Sequence, residues 1–457
     1  MPRVNAVLRE APPEEVALGV AFYTTPTAGT GGRIKEEPED FVVVERTKWP
    51  PQVEGGPYLV LEVRARNWET NRLVGKIARA HHLSRTRVSF AGTKDKRAVT
   101  TQGFTVRLDR APAAEVRLAD VEVLRSYPAA RPLTLGDLEC NAFEIAVTGV
   151  DGTAQAAAAA AGETLREAES ALGFANYFGG QRFGSLRPVT HRVGEALIAG
   201  DYERAAREYV GAASAFESPE VQEFRAAFRA GAEPTELLRR TPSPLSFERQ
   251  ILEGLAAAPD RPLDAVLSLP RNLVLMFIHA HQSDLFNRAL SERLRRGLPL
   301  GHPLVGDLVV PLEEFGSPEE DHPVEVTPAN LEKVARQVER GRAAVTALVP
   351  GAEAPFAGGE MGEIERGVLE KAGRTPGDFV LPDMPRFSTK GVRRPITMRP
   401  ANARVEAAEV RGRPAVRLAF ELSRGSYATV VLREIIKRPE SAWARDGLNS
   451  GAGSAPP

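Results

Sequence analysis

Over 457 residues the chain carries one cysteine, Cys140, and no Cys-x-x-Cys pair. No intrachain disulfide can form and no cysteine pair is present to grip zinc, which fits an intracellular compartment. Long apolar runs are missing too: nothing approaches the ~20 apolar residues of a membrane-spanning helix. Residues 1–15 carry Arg9, Glu10, Glu14 and Glu15 where a signal peptide has its apolar stretch. A cytoplasmic protein with no membrane partner is the expectation. Nucleotide-phosphate cradles are also lacking. Gly29-Thr30-Gly31-Gly32 is glycine-rich, but it has neither the G-x-x-x-x-G-K-[ST] nor the G-x-G-x-x-G spacing and follows no apolar strand, which argues against a cofactor-dependent methyltransferase. His279 and His281 stand two apart, on different faces of any helix, and His81-His82 reads as a surface or RNA-facing pair. No metal is expected. Net charge is nearly absent, 59 Lys+Arg against 60 Asp+Glu. As a total, that balance speaks against a protein that coats nucleic acid through bulk positive charge.

What is present is an ordinary globular composition, 42% hydrophobic and 26% charged, in a chain long enough for two or three domains. The segment 33–45 reads as a Pro-containing turn entering a strand, with further strands at Tyr58–Val63, Arg87–Phe90, Ala98–Leu108 and Asn141–Val147. Leu73, Val74, Ile77, Ala78 and Ala80 recur at helical spacing within Glu69–Leu83, and the alanine-rich Gln155–Leu172 opens after Asp151-Gly152 as a second helix. From 186 to 385 the texture changes to Ala/Arg/Glu helices broken by prolines, with an acidic loop holding Glu313, Glu314, Glu319, Glu320 and Asp321. Strands return at Val405–Val410, Ala415–Leu422 and Ala428–Leu432, and residues 445–457 form a Gly/Ser/Pro-rich tail of disordered character. The pattern predicts a β-rich core built from both chain ends with a helical unit inserted.

Placement changes the meaning of the charge total. Between Arg64 and Arg107 stand eleven Lys/Arg and two acids, Glu69 and Asp95, a balance of +9 in 44 residues. That is the footprint of a phosphate-backbone binder, cancelled in the sum by the acidic middle of the chain. Asp95 lies between Lys94 and Lys96, with Arg97 next, in the charged loop 91–97. Neighbouring cations favour a carboxylate, so Asp95 suits a nucleophile or base, although an Asp capping a hairpin loop would look the same. The stretch Asn176 to Gly184 mixes three aromatics with Asn176, Gln181 and Arg182, a combination suited to base stacking and edge recognition or to a tightly packed turn.

Several of these segments, in order, resemble the TruD family of pseudouridine synthases. The segment from Phe90 to Gln102, with Gly92-Thr93-Lys94-Asp95-Lys96-Arg97 at its centre, is similar to the family's signature, and Asn176-Tyr177-Phe178-Gly179-Gly180-Gln181-Arg182-Phe183-Gly184 to its Asn-Tyr-Phe-Gly-x-Gln-Arg-Phe-Gly motif. Lys35 to Glu45 resembles Lys-x-x-Pro-Glu-Asp-Phe-x-Val-x-Glu, Asn141-Ala142-Phe143 the Asn-x-Phe motif, and Gly425 to Glu434 the C-terminal motif. Ser283 to Asn287 and Val349-Pro350-Gly351 also have counterparts. The matches span 33–434. Residues about 200–270 look expanded, and Tyr427 stands where some members have Phe.

The resemblance implies an α+β fold: a pseudouridine synthase catalytic core with a mainly antiparallel, mixed sheet, residues 1–173 and 393–457, interrupted by a mainly helical TRUD insertion domain at 174–392. It implies isomerisation of a uridine in tRNA, at position 13 of the D arm, by breaking C1′–N1 and rejoining the base through C5 after base flipping. Asp95 would be the catalytic carboxylate. Phe41 and Tyr427 would contact the flipped base, Asn141 would bond substrate or Asp95, Phe143 would wall the pocket and Lys35 would pair with Asp95. Lys94, Lys96, Arg97, Arg79, Arg85, Asn176, Gln181 and Arg182 are RNA-binding candidates. The insertion would form one wall of an RNA cleft, with segment 64–107 opposite. No cofactor is required, no protein partner is evident and a monomer is the default. The competing class is an inactive RNA-binding or tRNA-folding protein on the same fold.

Overall fold

The computed structural model describes residues 8–109, 115–184, 187–319 and 322–443; the tail expected at 445–457 lies outside them. The first half of the chain supplies β1 (Phe41–Thr47), β2 (Tyr58–Arg66), β3 (Val88–Phe90), β4 (Val99–Arg107), β5 (Val121–Ala129) and β6 (Leu138–Thr148). The middle adds four short strands and one longer one: β7 (Phe174–Ala175), β8 (Leu308–Pro311), β9 (Val324–Glu325), β10 (Ala343–Val349) and β11 (Val392–Pro395). β12 (Thr397–Met398), β13 (Ala401–Val410) and β14 (Arg413–Ser423) complete the set.

Eight strands form one sheet in the order β13-β14-β6-β1-β4-β2-β5, with β3 paired to β4. β1 and β4 run parallel, and the other pairings are antiparallel. Both chain ends therefore share one mixed, mainly antiparallel sheet, and the fold is α+β. One face of the sheet is covered in two halves. The helix Thr70–Ala80 buries Leu73, Val74, Ile77 and Ala78 against β2, β3 and β4. The helices Ala154–Ser170 and Ala428–Ile436 bury Ala157, Ala161, Val430, Val431 and Ile435 against β1, β6 and β14. Ala428–Leu432 is thus helix, not strand. Ala428, Val430, Val431 and Leu432 are all buried, so the segment has no polar stripe from which a helical period could be read.

The second half-molecule holds a four-stranded sheet, β11-β10-β8-β9, beside a stack of helices from Thr190 to Leu267. Residues 393–395 belong to this smaller sheet. The 25-residue helix Arg271–Arg295 runs through it and contributes to two apolar cores. The N-terminal segment, expected with the larger sheet, docks on this helix: Leu18, Val20, Ala21 and Phe22 join the core around Phe286. Asn287 Nδ2 donates to Leu18 O at 3.1 Å, and Ala21 N to Ser291 Oγ at 3.0 Å. The insertion leaves and rejoins the larger sheet side by side, where β7 pairs with β12 (Ala175 with Thr397, Phe174 with Met398). No helix among the described residues is long and apolar enough to cross a membrane.

Candidate active site

Cross-strand neighbours point to the same side of a sheet, so register fixes which side chains meet. Asn141 on β6 stands between Glu45 on β1 and Leu422 on β14. One step along, Phe143 stands between Val43 and Phe420, and the next step brings Phe41, Ile145 and Leu418 into line. Phe143 packs on Phe41 edge-on at 6.0 Å and on Phe420 at 5.4 Å. These rows make an apolar floor with one polar end. At that end Asn141 Oδ1 is buried without a hydrogen-bond partner, so its acceptor capacity is unused.

The 91–97 loop lies over this floor and is pinned from several sides. Lys94 N donates to Thr70 Oγ1 at 2.9 Å, Gln102 Nε2 to Gly92 O at 3.2 Å, and Arg97 to Glu36 O. Asp95 remains 38% exposed in its side chain, and its Oδ1 lies 3.2 Å from Lys35 Nζ. Lys35 Nζ also sits 4.0 Å from the centroid of the Phe41 ring. Lys35 comes from a turn held by the far end of the chain: Arg411 pairs with Asp40 at 2.7 Å, and both Arg411 and Arg413 pair with Glu36. Burial alone would raise the Glu36 carboxyl, but the bonds from Arg413, Thr148 and Arg411 win and hold it at about 2.

Lys35, Asp95, Phe41, Asn141 and Phe143 therefore converge on one face. Phe41 is 1% exposed, with Lys35 over its ring, so it forms the floor beneath the ion pair and offers no open stacking face. Tyr427 precedes the helix Ala428–Ile436, partly buried, 6.4 Å from the Phe178 ring.

The basic candidates divide. Arg79, Arg85 and Gln181 are exposed, and Lys96 and Arg97 are half-buried beside Asp95. Lys94 turns inward instead: its side chain is 4% exposed and its Nζ lies 2.5 Å from the fully buried Glu45 Oε2, so it is not a phosphate contact. His81 also turns inward, with Nδ1 2.9 Å from Ile77 O. Asn176 is buried and uses both ends of its amide, donating to Pro395 O and accepting from Arg394 Nη2, each at 2.9 Å. The surrounding Asn176–Gly184 motif is a tightly packed segment, with Tyr177, Phe178 and Phe183 buried. Arg182 donates to Ser283 Oγ at 3.1 Å.

A cleft of about 1670 Å³ runs between the two halves. Its core-side wall is Leu135, Leu138, Cys140 and residues 421–426, and from the segment 64–107 only Ala91 lines it among the described residues. The cations of that segment, like Asp95 and Lys35 themselves, do not line this cleft. The cleft's cations are Arg182, Arg271, Arg386, Lys390, Arg394, Arg399 and Arg424, set against Glu313, Glu314, Glu319 and Glu421. Arg394 bridges Asn176 and Gly425 O and lies 4.1 Å over the Phe178 ring. Nothing local in the sequence distinguishes it from other arginines. Glu440 carries no sequence signal either. It accepts from Gly180 N at 3.1 Å, and desolvation followed by Glu15 pushes its carboxyl up to about 7 against the pull of that N–H and of Lys35.

The chain is similar to known proteins along nearly its whole length. Residues 17–435 match the family model of tRNA pseudouridine synthase D (TruD). The chain is 42% identical over 443 residues to the "Probable tRNA pseudouridine synthase D" of Halobacterium salinarum, covering 94% of this chain and 99% of that one. It is also 42% identical over 445 residues to the protein of that name from Natronomonas pharaonis, covering 95% and 100%. A crystal structure named "Putative tRNA pseudouridine synthase D (TruD)", from Methanosarcina mazei, superposes with a TM-score of 0.82 at 36% identity, covering 95% of this chain and all of that one. The motifs gathered around Asp95 and the extent of the match lead to one assignment: the chain belongs to the TruD family of tRNA pseudouridine synthases.

Proposed function

We propose that the protein isomerises a uridine of tRNA, at position 13 of the D arm, to pseudouridine, with Asp95 as the catalytic carboxylate. The observation that carries this reading is the Lys35–Asp95 ion pair held above an apolar floor whose polar end is the unpartnered Asn141 Oδ1. The reaction breaks C1′–N1, turns the base and joins C1′ to C5. One carboxylate suffices, either by attacking C1′ or by taking a proton from the ribose. Glycoside hydrolysis, by contrast, commonly uses two carboxylates and lets water in. Here the floor of Phe41, Phe143, Phe420 and Leu422 is apolar and buried, which suits a pocket that retains a detached base and keeps water from C1′. Uridine must leave its stack to reach Asp95, at a cost of a few kcal/mol that pocket contacts offset. Asn141 Oδ1 is an acceptor of the right kind for the uracil N3–H, and Lys35 fixes the direction of the Asp95 carboxylate. The protein acts in this reading as a cytoplasmic monomer without a cofactor.

The test is release of tritium from C5-labelled uridine in an unmodified tRNA transcript, with no addition, combined with mapping of carbodiimide-dependent reverse-transcription stops. Wild type should release tritium and give a stop at position 13. Asp95→Asn should do neither while still binding the tRNA. Undiminished release by Asp95→Asn would remove that residue from the chemistry, and binding without release by wild type would favour an RNA-folding role.

A further inference from the structure

Extruding a nucleotide opens a gap in the stack, and proteins that unstack bases commonly fill or force that gap with an apolar side chain. Leu135 has the form such a wedge needs. At 70% exposure it is the most exposed large apolar side chain among the described residues, and it lines the cleft. A lone exposed leucine is ordinary on a protein surface. This one differs in its mounting and its position.

The turn that carries it, Leu135–Asp137, is closed at both ends: Asp137 Oδ2 accepts from Thr134 N at 2.8 Å and Thr134 Oγ1 at 3.0 Å, and Asp137 N donates to Thr134 O at 3.0 Å. Arg131 Nη1 grips the same carboxylate at 2.8 Å, and Lys48 N donates to Asp137 O at 2.8 Å. On the other side Leu133 is buried, its N bonded to Thr105 Oγ1 at 3.1 Å. The backbone is thus fixed before and after the leucine, while the side chain itself is left in solvent. Three residues on, Leu138 lies against the loop that carries Asp95: a Cβ built on Gly92 would come within 3.3 Å of Leu138 Cδ2. Leu135, Leu138 and Ala91, the first residue of the loop that carries Asp95, line the same cleft. The other exposed apolar side chain of the cleft, Phe315, sits next to Glu313 and Glu314, where phosphates are repelled. Beside Leu135 the one acid of the turn, Asp137, is paired with Arg131.

We propose that Leu135 is a positioning residue for base extrusion, entering the RNA stack in the place the target uridine leaves. This rests on the reading of the protein as a synthase acting on folded RNA. The test uses the full chain in three forms, wild type, Leu135→Ser and Leu135→Met, with tRNA carrying 2-aminopurine next to the target uridine. Wild type should brighten the 2-aminopurine on binding, as the neighbouring base loses its stacking partner. Leu135→Ser should lose that brightening and lower kcat on tRNA by about tenfold or more, ~1.4 kcal/mol, with the thermal midpoint unchanged. Leu135→Met should restore both. Full brightening and wild-type turnover in Leu135→Ser would overturn the proposal. The fluorescence reads extrusion whether or not pseudouridine forms. A wild type that extrudes the base but yields no pseudouridine would fail the functional reading alone, and one that yields pseudouridine with no dependence on Leu135 would fail the wedge alone.

Discussion

Lys35 holds φ at +56°, in the left-handed region that side-chain-bearing residues seldom occupy. Glu36 and Asp40, gripped by Arg411 and Arg413, over-determine that turn, as expected where local strain serves a site. The turn delivers an ammonium that touches both Asp95 and the Phe41 ring. Lys35→Met keeps the length and apolar stem but frees the carboxylate to rotate; kcat should fall by about 10²-fold, the scale of a small misplacement of a reacting group, with tRNA affinity nearly retained. Single-turnover rates and filter binding on the same preparation separate the two effects. Asp95 stands out in sequence because it is an acid in a basic loop, whereas Lys35 is picked out only through family likeness. Asn141 is legible only through family likeness, since a lone amide on a strand carries no pattern. Lys94 misleads because cations adjacent in sequence need not share one environment. The chain turns Lys94 inward to Glu45 and leaves Asp95 at the surface, a distinction set by long-range packing. Arg394, which ties the Asn176 segment to Gly425, is invisible for the same reason.

Among the elements, those with one wet face are readable and those without are not. The helix Thr70–Ala80 shows its buried stripe in sequence, and its start is capped by Glu69, which accepts from Asn71 N at 2.8 Å and Arg72 N at 2.7 Å. The helix Ala428–Ile436 is buried along nearly its whole length and reads as a strand from its β-branched run. Arg271–Arg295 is buried on several sides between two cores, and many of its polar residues are internal. One of them, Arg293, is fully buried and forms a two-pronged pair with Asp307 at 2.7 and 2.9 Å. Removing one partner leaves the other charge stranded in a dry interior. Arg293→Met should therefore cost about 3–5 kcal/mol, whereas the double replacement Arg293→Met with Asp307→Leu should recover much of it. Denaturant midpoints of the single and double variants decide; equal losses would mean the pair does not act as a unit.

For the whole molecule, a near-zero charge sum conceals a division of labour. Of the cations between 64 and 107, Arg66, Arg87, Lys94 and Arg107 have internal acidic partners, while Arg79 and Arg85 face solvent. Reversing both to Glu should weaken tRNA binding and lower the slope of log affinity against log salt by about 0.7–0.9 for each phosphate no longer neutralised; titrations at several salt concentrations measure it, and an unaltered slope would clear that face of any role in holding RNA. The cleft's own cations come from the opposite half and from 386–424, which charge counting along the chain does not reveal because folding assembles them from distant segments. The β7–β12 ribbon bears on how such a cleft is used. At this crossing Ala175 N bonds Thr24 Oγ1 at 2.9 Å, Asn176 N bonds Ile396 O at 2.9 Å and Arg399 Nε bonds Leu172 O at 2.7 Å. β7 is thus bonded to β12 and to the N-terminal segment, so the crossing is tied from two sides. In the proposed reading, a crossing tied in this way leaves to the RNA the bending needed for entry.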